Sequence, residues 1–130
     1  MRAISIVVTG NNPKQQLAGE RVRYATADGG LTDLVDHTPN SLVNQISEDW
    51  FDHFKWNGVT GNISPEELLK LKGMVMAAHR QKKRLRFWGG PNSEKFWKVE
   101  YDAGVDLIGM DYLERGQKFL LERLKDDLDF

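Results

Sequence analysis

Four residues stand where a parallel sheet presents its chemistry. Thr9, Asp28, Trp88 and Asp111 each fall at or just past the carboxyl end of a run of strand-forming residues. Ligands of parallel α/β folds bind along that edge. Arg86 shares parity with Trp88, so the two side chains project from one face of their strand. An arginine on an enclosed face needs an acid or a phosphate beside it. Either Arg86 pairs with Asp28 or Asp111 as a structural ion pair, or it meets an anionic ligand with Trp88 as a pocket wall.

Other chemistries find little support. The histidines are His37, His53 and His79; no two are spaced i, i+4, and H-E-x-x-H is absent. His79 falls within a helix and reads as structural, and His53 lies beside Asp49 and Asp52 in a loop. There is no cysteine, which excludes disulfides and thiolate metal sites. Gly89-Gly90-Pro91 lacks the G-x-G-x-x-G spacing, and no glycine loop ends in a lysine–serine pair, so no nucleotide fingerprint is present. Trp50, Trp56 and Trp97 read as packing residues; the sharper alternative is an aromatic lid over a lipid or sugar head group.

The elements that must position these residues centre on 84–111. Leu85, Phe87 and Trp88 form a strand stopped by Gly89-Gly90-Pro91. A helix follows, with Asn92 or Ser93 as N-cap, Phe96, Trp97 and Val99 on its apolar positions, and Gly104 as its C-cap. A second strand occupies 105–108. So short a crossover joins parallel neighbours. Upstream, 3–9 (AISIVVT) is apolar on both parities, as a strand covered on both faces would be, and 22–27 (VRYATA) is a second strand. Residues 14–20 make a short polar connection, 31–35 a short helix, and 36–40 a loop marked by Pro39. Residues 42–46 fit a short strand or a helical turn equally, and 47–62 read as one helical turn followed by loop. Ser64-Pro65-Glu66-Glu67 opens a helix with serine as N-cap, proline at the first position and Glu67 completing a capping box. Leu68, Leu71, Val75 and Ala78 recur along it at helical spacing. The last helix spans about 113–124, with Phe119, Leu120 and Leu124 toward the core and Leu128 and Phe130 extending the packing.

This alternation makes an α/β fold with a mainly parallel sheet. The 130 residues form one domain, 1–130, with no linker or repeat. A net charge of -1 gives no field suited to nucleic acid. No run reaches membrane-spanning length, and residues 1–10 lack the apolar core of a signal peptide.

The segments SEDWFDHFKWNG and AHRQKKRLRFWGGPNSEKFWKVEYDAGVDLIGMD resemble the C-terminal half of the phospholipase C-like phosphodiesterases, in the branch around the altered-inheritance-of-mitochondria proteins. Glycerophosphodiester phosphodiesterases are more distant relatives. The resemblance rests on Ser47 with Trp50, Ala78-His79, Arg86-Phe87-Trp88 and the run 103–106, and it covers nearly the whole chain. It implies strands five to eight of a (β/α)₈ barrel, half of the ~250 residues such a barrel needs. It also implies a substrate pocket of Arg86, Trp88, Asp28, Asp111 and Trp50, facing a phosphodiester or phospholipid-type ligand. The family's catalytic histidines and metal carboxylates lie on the first four strands. The resemblance therefore implies no catalytic residue and no metal site in this chain; Mg²⁺ or Ca²⁺ is expected only in a complete barrel. At the last strand Gly109-Met110-Asp111-Tyr112 keeps only one of the family's two aspartates. Gly89 and Gly90 replace an alanine–threonine pair, and Asn92 replaces an aspartate. A half-barrel leaves two sheet edges open, so the expected partner is another copy or a complementary N-terminal half. The alternatives are a non-enzymatic binding or scaffold module and a small flavodoxin-like binder.

Overall fold

The structure, a computed structural model, describes residues 6–8, 14–19 and 25–128. Among these residues, five strands form one sheet: β1 (Val7–Val8), β2 (Thr26–Gly29), β3 (Gln45–Asp49), β4 (Arg84–Trp88) and β5 (Leu107–Ile108). Six helices connect or follow them: α1 (Lys14–Gly19), α2 (Leu31–Val35), α3 (Trp50–His53), α4 (Pro65–Arg80), α5 (Glu94–Ala103) and α6 (Leu113–Leu128). All pairings are parallel and the strands lie side by side in chain order. A doubly wound, flavodoxin-like sheet requires a reversal of strand order, and none is present among the described strands. Right-handed crossovers that all step in one direction place their helices on one face of the sheet.

Burial follows that geometry. Ala27, Ile46, Leu85 and Phe87 point into the helix layer and are buried. Their neighbours Asp28, Ser47 and Arg86 occupy the other face and are half-buried, while Trp88 is exposed there. The register sets Ser47 beside Arg86, and Asp49 beside Trp88. Asp28 lies beside Gln45. Polar side chains thus line the face that no described helix covers.

Strand β3 is one strand more than the four-unit reading expects. Its sequence, QISED, has weak strand propensity, but it pairs on both sides, with β2 and with β4. Ladder pairing and the burial of Ile46 outweigh local preference here. Residues 42–44 precede the strand, and Ser47–Asp49, read as part of a helical turn, belong to it. Of the first two expected strands, only 6–8 and 25–27 fall within the described residues; 3–5, Thr9 and 22–24 lie outside them.

Capping decides the helix starts. Ser64 Oγ accepts a hydrogen bond from Glu67 N at 3.2 Å, with Pro65 in the first turn. The Glu67 carboxylate does not return to Ser64 as a capping box would require. It accepts from Lys55 N at 2.8 Å and Trp56 N at 3.3 Å, pinning the loop after α3 to the start of α4. Ser93 caps α5 through Phe96 N, and Gly104 ends that helix in the left-handed conformation at φ 92°. In α6, Phe119 is buried and Leu120 partly so. Leu124, expected on the core side, is 48% exposed.

Candidate functional site

The aromatic core forms the floor of the site. Trp50 is fully buried and stacks on Phe54 at 4.0 Å between ring centroids. It meets Phe87 and Phe96 edge-on at 5.4 and 4.8 Å. Its indole N–H donates to Trp56 O at 3.0 Å. Trp50 therefore touches the helix-side core. It is not a ligand wall, as the resemblance implied, and the packing reading describes it. Trp56 and Trp97 are buried likewise.

Phe87 and Phe96 form part of a cavity of about 210 Å³ at the carboxyl end of β4 and β5. Arg86, Trp88 and Asp111 line it too, together with the glycines of both loops and Asn92. Three of the five residues expected to bind substrate thus meet at one cavity, and Asp28 adjoins it through Arg86. Asp28 accepts from Ser47 Oγ at 2.7 Å and from Gln45 Nε2 at 3.4 Å. Arg86 Nη1 lies 4.0 Å from Asp28 Oδ2 and donates to Ser47 Oγ at 3.4 Å. The ion pair anticipated between Arg86 and Asp28 is present but long, and the arginine side chain keeps 34% of its surface exposed.

The loops are fixed by close approach and by one reciprocal pair. Gly89 adopts φ 78°, and a Cβ there would lie 2.7 Å from Asp49 Oδ1. A Cβ on Gly90 would strike the Phe96 ring at 2.5 Å. Only glycines let this turn sit against β3 and α5. Asn92 Nδ2 donates to Asp111 Oδ2 at 2.9 Å, and Asp111 N donates to Asn92 Oδ1 at 2.8 Å. Asp111 is thereby bound to the loop before α5 and does not reach Arg86 by a hydrogen bond or ion pair. The sequence alone marks Asn92 as a possible cap and as the replacement of a family aspartate, and Ser47 only as a motif residue. The parity of a correctly placed β3 would have set Ser47 beside Arg86; nothing local announces the Asn92–Asp111 pair.

His53 and His79 are occupied elsewhere. His79 Nε2 meets Asp106 Oδ2 at 2.8 Å, and the same oxygen accepts from Leu85 N at 2.8 Å, tying α4 to β4 and β5 at the amino edge of the sheet. This matches the structural reading of His79. His53 pairs with Glu48 at 3.1 Å, not with Asp49 or Asp52, and Glu48 also accepts from Leu31 N at 2.6 Å.

The residues at the cavity do not suit a divalent metal. A hard cation takes several clustered oxygens, whereas Asp28 and Asp111 are committed to different neighbours. No group of three or more potential ligands occurs among the described residues.

The chain is similar to Altered inheritance of mitochondria protein 6 of Eremothecium gossypii. Identity is 30% over 135 aligned positions, covering 91% of this chain and 35% of that relative. The chain thus spans about a third of that protein's length. The relative carries the name of the branch that the motifs resemble. No family model matches the chain. No solved structure matches it either. Among the described residues, no helix is long and apolar enough to cross a membrane.

Proposed function

We propose that this chain is the C-terminal part of a (β/α)₈ barrel related to the phosphoric diester hydrolases, contributing five of its strands, and that it supplies the phosphate side of the ligand pocket without the reacting groups. One observation carries the reading. Arg86, with a third of its side chain exposed, lines a cavity at the carboxyl edge of a consecutive parallel sheet, and its nearest carboxylate among the described residues is 4.0 Å away. A guanidinium held that loosely retains donors for an oxyanion. In β/α barrels, phosphates bind beside the loops of the last two strands, which on this reading are β4 and β5. That step is an analogy of fold. The exposed ring of Trp88 offers an apolar wall for an ester substituent, as in a phospholipid-type ligand.

Hydrolysis needs an acid, a base and charge stabilisation around the phosphate. The cavity lining offers no histidine. On this reading, catalysis belongs to the polypeptide that supplies the remaining strands of the barrel. The test is a titration of the chain with glycerol 3-phosphate followed by amide chemical shifts. The expected result is saturable shifts around Arg86, Trp88 and Asn92 that vanish in Arg86→Ala. Shifts that survive that substitution, or no shifts at millimolar ligand, would reject the pocket. Turnover of a phosphodiester by the isolated chain would reject the division of labour.

A second reading has its own observation. Asp28, Ser47 and Arg86 contact one another, so the trio can serve as a structural polar layer in a scaffold module. In that case Arg86→Ala lowers thermal stability and leaves no ligand response to lose.

A further inference from the structure

Helix α6 has one broad apolar arc, and only part of it is covered. Its inner face is held to α5 along its length. Phe119 meets Trp97 at 5.8 Å between centroids, Arg123 donates to Asp102 at 2.7 Å, and the Tyr101 hydroxyl donates to Asp127. Leu113, Leu121 and Leu124 lie outside that contact and are 75%, 58% and 48% exposed. At ~100° per residue, these leucines and Gln117 fall within an arc of about 80°, centred roughly 130° from the Gly116–Phe119 side. Leu120, which packs against the core, lies between the two, so the stripe continues the inner face beyond what α5 covers. Tyr112, 57% exposed, extends it toward β5. Beside it lies a cavity of about 480 Å³ lined by Asp111, Tyr112, Leu113, Glu114 and Arg115. Clustered apolar exposure of this kind marks a contact surface.

The charges along the stripe specify its occupant. Glu114 flanks the stripe near its start and Lys125 flanks the same side near its end. Neither makes an ion pair among the described residues. They stand eleven residues apart, about 16 Å along the axis. We infer that α6 pairs with α6 of a second copy, antiparallel about a two-fold axis. In that arrangement Glu114 of each copy faces Lys125 of the other, whereas a parallel pair would carry the two Glu114 and the two Lys125 to opposite sides of the contact and leave all four unpaired. The alignment also brings Leu124 of the second copy over the first turn of α6, beside the cavity next to Leu113. A two-fold contact of this sort is self-complementary, as closed dimers require. The contact is independent of the phosphate pocket and leaves the polar face of the sheet open. A single helix pair buries less than the ~800 Å² per partner of a standard interface, so the dimer should exchange readily with monomer.

Sedimentation velocity of the full chain across a concentration series tests this. Wild type should show a monomer–dimer equilibrium. Leu121→Lys, at an exposed position, should weaken dimerisation by about tenfold or more, since it puts an unpaired charge in the contact centre. Glu114→Lys and Lys125→Glu should each weaken it by a few-fold, and the double variant should return to within about twofold of wild type. A chain that stays monomeric up to millimolar concentration overturns the inference, because the stripe is then bare or meets a different protein. A dimer indifferent to Leu121→Lys, or a double charge swap no better than either single, overturns it as well. Circular dichroism melts confirm that each variant is folded. The two charge swaps keep the test decisive if Leu121→Lys is not.

Discussion

Arg86 and Asp28 sit on adjacent strands in the same polar layer, 4.0 Å apart, with the Ser47 hydroxyl bonded to both. This spacing leaves the arginine oriented but incompletely neutralised. Removing either partner should therefore have opposite effects on anion binding. Arg86→Ala should lose glycerol 3-phosphate binding by about tenfold or more, the scale of a charge-assisted hydrogen bond. Asp28→Asn should strengthen it, because the guanidinium no longer divides its field with a carboxylate. The pair is partly exposed, so either change should cost only about 0–1 kcal/mol of stability through the lost ion pair itself. Parallel affinity and melting measurements separate the two effects. Equal affinity in wild type and Asp28→Asn would mean that the carboxylate does not compete with ligand.

The turn after β4 makes a second prediction. Gly89 combines a positive φ with a 2.7 Å approach of its missing Cβ to Asp49. Gly89→Ala should cost about 1–3 kcal/mol, since the left-handed conformation alone disfavours a side chain by about 1–2. For a domain of this size, that is a drop in melting temperature of roughly 5–15 °C. Gly109 lines the same cavity, but no heavy atom lies within 4 Å of its missing Cβ. Gly109→Ala should melt within a degree or two of wild type. If the two variants melt alike, the loop does not hold this conformation in solution.

Trp50 separates a core role from a ligand role. Its ring is packed among Phe54, Phe87 and Phe96, and two of those three form part of the cavity. Trp50→Ala should destabilise the fold by about 3–5 kcal/mol, the range for deleting a buried aromatic. Trp50→Phe should cost less, and its folded fraction should bind phosphate nearly as wild type does. A stable Trp50→Phe protein with abolished binding would return Trp50 to the ligand site.

The legible parts of this chain are those with local causes. Ser93 and Gly104 announce both ends of α5, and Ser64-Pro65 announces the start of α4, because capping is decided within a few residues. The parity of Arg86 and Trp88 is equally local. The α/β class and the parallel sheet follow from the alternation of such signals. What stays hidden depends on distant partners. Strand β3 is polar enough to leave 42–46 open between strand and helical turn, and to put 47–49 in a helical turn, until β2 and β4 supply its ladder. The Asn92–Asp111 pair joins residues 19 positions apart and has no periodic signature. Glu67 has the right spacing for a capping box, but two loop amides compete for its carboxylate. Leu124 fits a core position by helical spacing, yet the stripe it belongs to faces away from α5. Spacing identifies an apolar face but not the element that covers it.

Glu100 gives the clearest dependence on pH. It lies on the inner face of α5 at 1% exposure, and neither carboxyl oxygen has a hydrogen-bond partner among the described residues. Burial raises its pKa from 4.5 to about 8, so the side chain is largely protonated at neutral pH. In the unfolded chain the same group ionises near its ordinary value. Between those two pH values the folded state binds the extra proton, so stability falls as pH rises. This contribution is fully present below about pH 4.5 and is lost as pH rises through about 8. Its size is on the order of a few kcal/mol, because each tenfold change in proton affinity is worth about 1.36 kcal/mol. Glu100→Gln retains the shape and the neutral amide without the ionisation. The stability difference between wild type and Glu100→Gln, measured by urea denaturation from about pH 4 to about pH 9 to bracket both ionisations, should therefore move steadily in favour of the glutamine variant as pH rises. A difference that does not change with pH would show that this carboxyl is solvated or paired in solution.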